Sequence, residues 1–137
     1  MRFTAMAAAL MLLLVQPCQA QQAGIAFAYA AEQGAGPCMG DDPAAAFECA
    51  VAKCMESGAA AEDCAPMAWC MPAGWTAAIG VMHKEGIHWT EYSCGWETRE
   101  QAADAARLRC DPAARPYIQE CSASVFYDPQ GNEIIAE

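Results

Sequence analysis

Nine cysteines and two histidines are the side chains best suited to chemistry in this 137-residue chain. Cys18 lies just after an N-terminal apolar run. The other eight are Cys38, Cys49, Cys54, Cys64, Cys70, Cys94, Cys110 and Cys121. No two are spaced as C-x-x-C, and neither histidine has a cysteine within five residues, so a zinc site has little to build on. An even count in an exported chain points instead to four disulfides formed in an oxidising compartment. A catalytic cysteine must be an accessible thiolate, and here every cysteine after Cys18 has a plausible bonding partner.

His83 and His88 flank a Lys84-Glu85-Gly86 turn. Facing each other across a hairpin, with Glu85 nearby, they would begin a transition-metal site. Two imidazoles without a third or fourth fixed ligand hold a metal weakly. They are read as polar residues on an exposed loop, and no metal or cofactor is expected. Ser93, Ser122 and Ser124 sit in no elbow or triad pattern. The paired carboxylates Asp41-Asp42 and Glu62-Asp63 fall at a helix start and a turn. No catalytic residue is assigned.

Aromatic residues are the remaining lead. Trp75, Trp89, Tyr92 and Trp96 crowd one hairpin and its exit. Most belong in a core, because a small sheet needs large residues on its buried face. Alternation puts Trp89 and Tyr92 on opposite faces. An aromatic left exposed beside acidic residues would make a protein-binding surface. The candidate surface is His83, Glu85, His88, Trp89, Tyr92 and Trp96.

The elements that must position these residues begin after a secretory signal. Arg2, the apolar run Ala7–Val15 and the ending Cys18-Gln19-Ala20 describe a signal peptide over 1–20, cut before Gln21. The run is too short to span a bilayer, and Gln16-Pro17 suits a lipidated Cys18 poorly. The remaining 117 residues keep all 17 acidic residues but only six Lys and Arg, a formal charge of −11. Phosphate backbones need the opposite sign, so nucleic acid is excluded as a partner. No later segment is long and apolar enough to cross a membrane. Solubility accounts for an acidic surface; a cationic protein partner is the sharper alternative.

Gly24–Tyr29 reads as a first strand, Glu32–Gly36 as a glycine-rich turn, and Cys38 as lying just ahead of a helix. Asp42-Pro43 starts that helix: a side-chain acceptor for its free amides, then proline at the first helical position. Phe47, Ala50, Val51 and Cys54 recur at helical spacing as its buried stripe, and Gly58 stops it. Ala65–Trp69 is a strand ending in the Pro72-Ala73-Gly74 turn. Thr76–Met82 and Ile87–Tyr92 form a hairpin around Gly86. Thr98 with Gln101 makes a capping box for a second helix, whose inner residues are Ala103, Ala106 and Cys110. Asp111-Pro112 ends it. Ser122–Tyr127 follows as a strand, and Asp128-Pro129-Gln130-Gly131 turns the chain into Asn132–Ala136.

Asp42 and Thr98, Cys38 and Cys94, and Cys54 and Cys110 are each 56 positions apart. Cys64 and Cys121, Trp69 and Phe126, Pro72 and Pro129, and Gly74 and Gly131 are 57 apart. The pattern implies an internal duplication: one domain over 21–137 built of two repeats, 24–74 and 75–137. The expected class is α+β, two pseudo-repeated units of hairpin, helix and strand, with both helices on antiparallel sheet and four disulfide staples. Equivalent positions should make equivalent bonds, which favours Cys54–Cys64 and Cys110–Cys121. Cys49 and Cys70 lack counterparts and are paired by elimination, leaving Cys38 and Cys94 to bridge the units.

The second unit resembles domain-of-unknown-function family 4189. The likeness lies in Ala77-Ala78-Ile79-Gly80-Val81, the Gly86 turn, Trp89–Tyr92, Thr98–Ala106 running to Cys110, then Cys121 and Val125-Phe126. It covers about residues 75–131. It implies a small secreted bacterial protein with a similar hairpin, alanine-rich helix and Cys-containing strand, and it carries no catalytic residues over. Cys49 and Cys70 are additions to the family pattern, and a cysteine soon after Phe126 is missing. The expected function is an exported, non-enzymatic binding module, secreted or periplasmic, engaging a cationic protein as an inhibitor or immunity-type protein would. The alternatives are an unrecognised secreted hydrolase, which a cleft gathering His88 with carboxylates would favour, and an envelope or extracellular structural protein.

Overall fold

A computed structural model describes residues 23–136. The expected signal peptide and its cleavage point lie outside the described residues. In chain order the elements are β1 (Gly24–Ala30), β2 (Gly34–Gly40), α1 (Pro43–Glu56), β3 (Ala65–Cys70), β4 (Trp75–His83), β5 (His88–Trp96), α2 (Arg99–Arg109), β6 (Ile118–Tyr127) and β7 (Glu133–Ile135). The chain is α+β, with antiparallel sheets ordered β2-β1-β3 and β5-β4-β6-β7. In each sheet a hairpin is followed by a helix and then by a strand that returns to pair with the hairpin's first strand.

The alternation of β1 stacks the layers, because successive side chains of a strand face opposite ways. Ala26, Ala28 and Ala30 meet Ala46, Ala50 and Cys54 of α1. Ile25 and Phe27 point the other way, against Ala78, Tyr92 and Tyr127 of the second sheet. Phe27 stacks on Tyr92 with ring centroids 4.4 Å apart and meets Tyr127 at 5.1 Å. On β4, Ala77, Ile79 and Val81 turn outward to Ala102 and Ala106 of α2. The order is therefore helix, sheet, sheet, helix. Both helices pack on antiparallel sheet, as expected: α1 on the first and α2 on the second, with the two sheets face to face.

The helix starts form as their residues dictate. Asp42 accepts from the amide of Ala45 at 2.8 Å, with Pro43 at the first helical position. Thr98 and Gln101 complete their capping box, the Thr98 hydroxyl accepting from the Gln101 amide at 3.2 Å. Strand β2 was not legible in sequence, because glycines and Pro37 disguise it. The turn is only Ala31–Gln33, and Gly34–Gly36 belong to the strand. A Cβ on Gly36 would lie 2.0 Å from the Ala50 carbonyl oxygen and 2.6 Å from the Cys54 nitrogen. Here glycine is what lets the α1 backbone lie directly on the strand. The same closeness narrows the helix stripe to Ala46, Ala50 and Cys54, leaving Phe47 and Val51 as half-buried shoulders.

Four disulfides form among the eight cysteines. Cys54–Cys64 and Cys110–Cys121 pair as expected, each tying a helix end to the following loop or strand. The other two expected pairs, Cys49–Cys70 and Cys38–Cys94, are corrected: the bonds are Cys38–Cys49 and Cys70–Cys94. Strand parity is the reason. Cys38 lies opposite Ala26, on the face that α1 covers, and so meets Cys49 of the helix. Cys70 lies opposite Ile25, on the face turned to the second sheet, and so meets Cys94 of β5. Cys70–Cys94 is the covalent link between the halves.

Candidate functional site

The second sheet is wider than the first, and its β4–β5 hairpin runs past the end of the sheet interface. Pleat and register define what is uncovered there. On β4, Gly80 is flanked by Thr90 of β5 and Ser122 of β6, and Met82 by His88 and Glu120. Directly opposed residues share a face, so these six form two rows beyond the covered row of Tyr92, Ala78 and Val125. Tyr29, from the end of β1, and Glu32, from the β1–β2 turn, form the facing wall. Together they enclose a cleft of about 270 Å³.

Two backbone features shape it. Glu32 is the one non-glycine residue with positive φ, 60°, among the described residues. Such a conformation persists where its surroundings hold it. Gly80 leaves the floor open: a Cβ there would have only the Ser122 carbonyl oxygen within 4 Å, at 3.9 Å.

The charge is one-sided. Glu32 and Glu120 line the cleft with no lysine or arginine among its walls. Neither takes part in an ion pair among the described residues. Likewise, no side-chain hydrogen bond among them involves Glu32, Glu120, Thr90, Ser122 or His88. The two carboxylates stand without a cation beside the hydroxyls of Tyr29, Thr90 and Ser122 and the imidazole of His88, which can each donate or accept.

The opposite face of the same sheet holds a charge cluster of another kind. Glu91 of β5 accepts from Arg115 through both oxygens, at 2.6 and 3.2 Å, and from the indole of Trp89 at 2.9 Å. Arg109 adds a longer contact at 3.4 Å. Arg115 also donates to the Tyr117 hydroxyl and the Arg109 carbonyl, both at 3.2 Å. Burial opposes ionisation of Glu91, but the bonds from Arg115 and Trp89 and the two positive charges outweigh it. Its carboxyl is held below the usual carboxylate range. The bonds to Glu91 and Tyr117 raise Arg115 in turn. This corner pins the 110–117 loop to β5 and has no unmet acceptor to offer a ligand.

The residues singled out in sequence are dispersed rather than gathered. His88 lies opposite Met82, while the His83 amide donates to the Ile87 carbonyl at 2.8 Å. The two histidines therefore lie on opposite faces, and the paired arrangement that would begin a metal site does not form. His88 lines the cleft; His83 packs beside Tyr117 with ring centroids 5.7 Å apart. The His83 Nδ1 accepts from the Glu85 amide at 3.1 Å. In that tautomer the Glu85 carboxylate, 3.7 Å from the same nitrogen, makes no ion pair with it. No group of three metal-ligating side chains forms among the described residues.

Tyr92 is buried between the sheets, where burial, reinforced by the neighbouring Tyr127, Tyr29 and Glu133, pushes its phenol far up. That removes Tyr92 from the expected surface. Trp89 and Trp96 pack half-buried on the α2 side and donate to Glu91 and Ser93. Glu85 is exposed at the hairpin tip. Sequence reasoning passed over Tyr29, Glu32, Gly80, Met82, Thr90 and Glu120, and it weighed Ser122 only as a nucleophile. The available signal was a glycine and hydroxyl residues at strand positions where a fully covered face would carry apolar ones.

No family model, curated protein or solved structure matches the chain. Four disulfides in a chain of this size mark a protein of an oxidising environment. No helix among the described residues is long and apolar enough to cross a membrane.

Proposed function

We propose that the protein is an exported, disulfide-stabilised binding module that holds a cationic group of another protein in the inter-sheet cleft, as an inhibitor or immunity-type protein would. The observation that carries this is the pairing of carboxylates with cations across the sheet. Glu91 has its own arginines, whereas Glu32 and Glu120 share a concave site with none. A partner that brings a positive group meets preplaced acceptors and gains most where it displaces least-ordered water. The net charge of −10 for the whole chain steers such a partner inward.

Affinity capture from periplasm and culture medium tests the reading. Binding should weaken as salt rises, and Glu32→Gln with Glu120→Gln should abolish it while the fold stays intact. A partner retained equally by that variant at all salt concentrations would overturn the cleft as the binding site.

A second reading, an unrecognised secreted hydrolase, draws on the same cleft because it gathers His88 with two carboxylates and Ser122. A general base acts through a hydrogen bond to the group it activates. Turnover of an ester or peptide panel by the protein, lost in His88→Ala, would establish this reading in place of the first.

A further inference from the structure

We infer that the Cys110–Cys121 disulfide is a reversible redox site, open to exchange with a dithiol while the other three bonds stay intact, and that its reduction loosens the loop covering Glu91. The inference is independent of the cleft and of what binds there.

The four bonds are unequally placed. Cys54 and Cys64 are buried in the core beneath α1, and Cys38, bonded to Cys49, is buried in the same core. Cys70–Cys94 lies where the two sheets meet, with Cys70 against the Phe27 cluster. Cys110 and Cys121 are half-buried and together line an opening of about 270 Å³ between α2 and β6. Its other walls are mostly small: Ala103 and Ala106 from α2 and Ala123 from β6. Arg107, which pairs with Asp104, is the one charged residue lining it. An entering thiolate therefore meets no carboxylate on these walls, in a chain that is otherwise strongly acidic. Access and the approach of a thiolate to one sulfur are what govern exchange.

The entering thiolate bonds to one sulfur as the disulfide breaks, and the other cysteine leaves with the electron pair. Cys110 caps the C-terminal end of α2, whose partial negative charge disfavours a thiolate. The attacked sulfur is therefore that of Cys110, and Cys121 leaves. The second thiol of the dithiol then displaces Cys110. The dithiol ends as a disulfide, and its two protons pass to the two cysteines.

The bond closes the loop that carries Arg115 over Glu91. Residues 111–117 are tied down by Cys110–Cys121, by Arg115 on Glu91, and by the Tyr117 carbonyl, which accepts from the Lys84 amide at 3.0 Å. Opening the bond leaves α2 and β6 with their own hydrogen bonds and the loop with noncovalent ties alone. Local opening is easiest in such a segment. The disulfide is a latch on the strap over Glu91.

Brief treatment of the full chain with limiting dithiothreitol, alkylation and peptide mapping test the inference. Cys110 and Cys121 should take up label at least about tenfold faster than any other pair, the effect of access on exchange. With glutathione instead, the trapped mixed disulfide should sit on Cys110; an adduct on Cys121 would overturn the direction of attack. Ala103→Leu fills the opening and should slow the labelling towards the rate of the other pairs without removing a cysteine. Amides within 111–117 should exchange with deuterium faster in the reduced, alkylated protein, and faster again with Arg115→Met, while those of β1 and β4 stay protected. If another pair labels first, or all four open together, Cys110–Cys121 is not the exchange site. If Ala103→Leu labels as fast as wild type, the opening is not the route. If 111–117 exchanges no faster after reduction, the bond is not a latch.

Discussion

Glu91 and Glu120 stand on the two strands that flank β4, on opposite faces of one sheet. Glu91, on the α2 face, is half-buried and clamped by Arg115, Arg109 and Trp89. Glu120, on the face beyond the first sheet, has no cation partner among the described residues. Both are carboxylates on a strand; what separates them is what the chain lays over each. The 110–117 loop brings Arg115 back across Glu91, while the β1–β2 turn brings a second carboxylate, Glu32, over Glu120. One corner is closed by its own chemistry, and the other is left open to a partner's.

The same contrast separates two glycines. Gly36 lacks a side chain because a helix backbone occupies the space, and Gly80 lacks one with the space vacant. Gly36→Ala should therefore be the most damaging change, costing about 3 kcal/mol, the upper part of the overpacking range. Its urea midpoint against wild type measures this, and a neutral result would mean that α1 lies further from β2 than 2.0 Å from Cβ to oxygen implies. Arg115→Met comes next, at about 2 kcal/mol, because it strands a half-buried carboxylate. Adding Glu91→Gln should recover much of that loss; a double variant no better than the single would show that Glu91 does not depend on its cation.

A pH series sharpens the distinction further. The folded-state pKa of Glu91 is depressed below its ordinary value of 4.5. Its contribution is present above that value and is lost as pH falls through the lower, folded one. Glu91→Gln should flatten the acid limb of the stability profile. At the alkaline end, Tyr127 is pushed up to about 12, first by burial and then by Glu133. The unfolded phenol ionises first, so stability should fall from pH 10 upward, and Tyr127→Phe should lessen that fall in thermal melts. The smallest effect belongs to the cleft floor. Gly80→Val and Glu120→Gln should each leave stability within about 0.5 kcal/mol, or slightly raised for the valine in a strand. A larger loss would mean that the cleft is needed for folding rather than left open for a ligand.

Much of the scaffold was legible because it depends on neighbours in sequence. Asp42-Pro43 and Thr98 with Gln101 cap helices through bonds spanning three residues. Cys54 meets Cys64, and Cys110 meets Cys121, over separations of 10 and 11. The apolar run Gly24–Tyr29 and the alternation in Thr76–Met82 mark strands whichever way they face. The other two disulfides were misread because their choice depends on strand parity. Cys38 and Cys70 sit on the two strands that flank β1, yet they face opposite layers. A rule of elimination contains no information about faces.

Local chemistry thus determined caps, turns, two disulfides, an acidic chain and an α+β pattern from the sequence by itself. Each of those is decided by residues a few positions apart, where the backbone's own geometry supplies the distances. Only the tertiary structure decided that there are two stacked sheets, that Tyr92 is core, that His83 and His88 part company, and that Glu32 comes to share a cleft with Glu120. Those outcomes depend on which side of a pleated strand is covered by a layer distant in sequence. A shift of one residue in register would reverse every one of them.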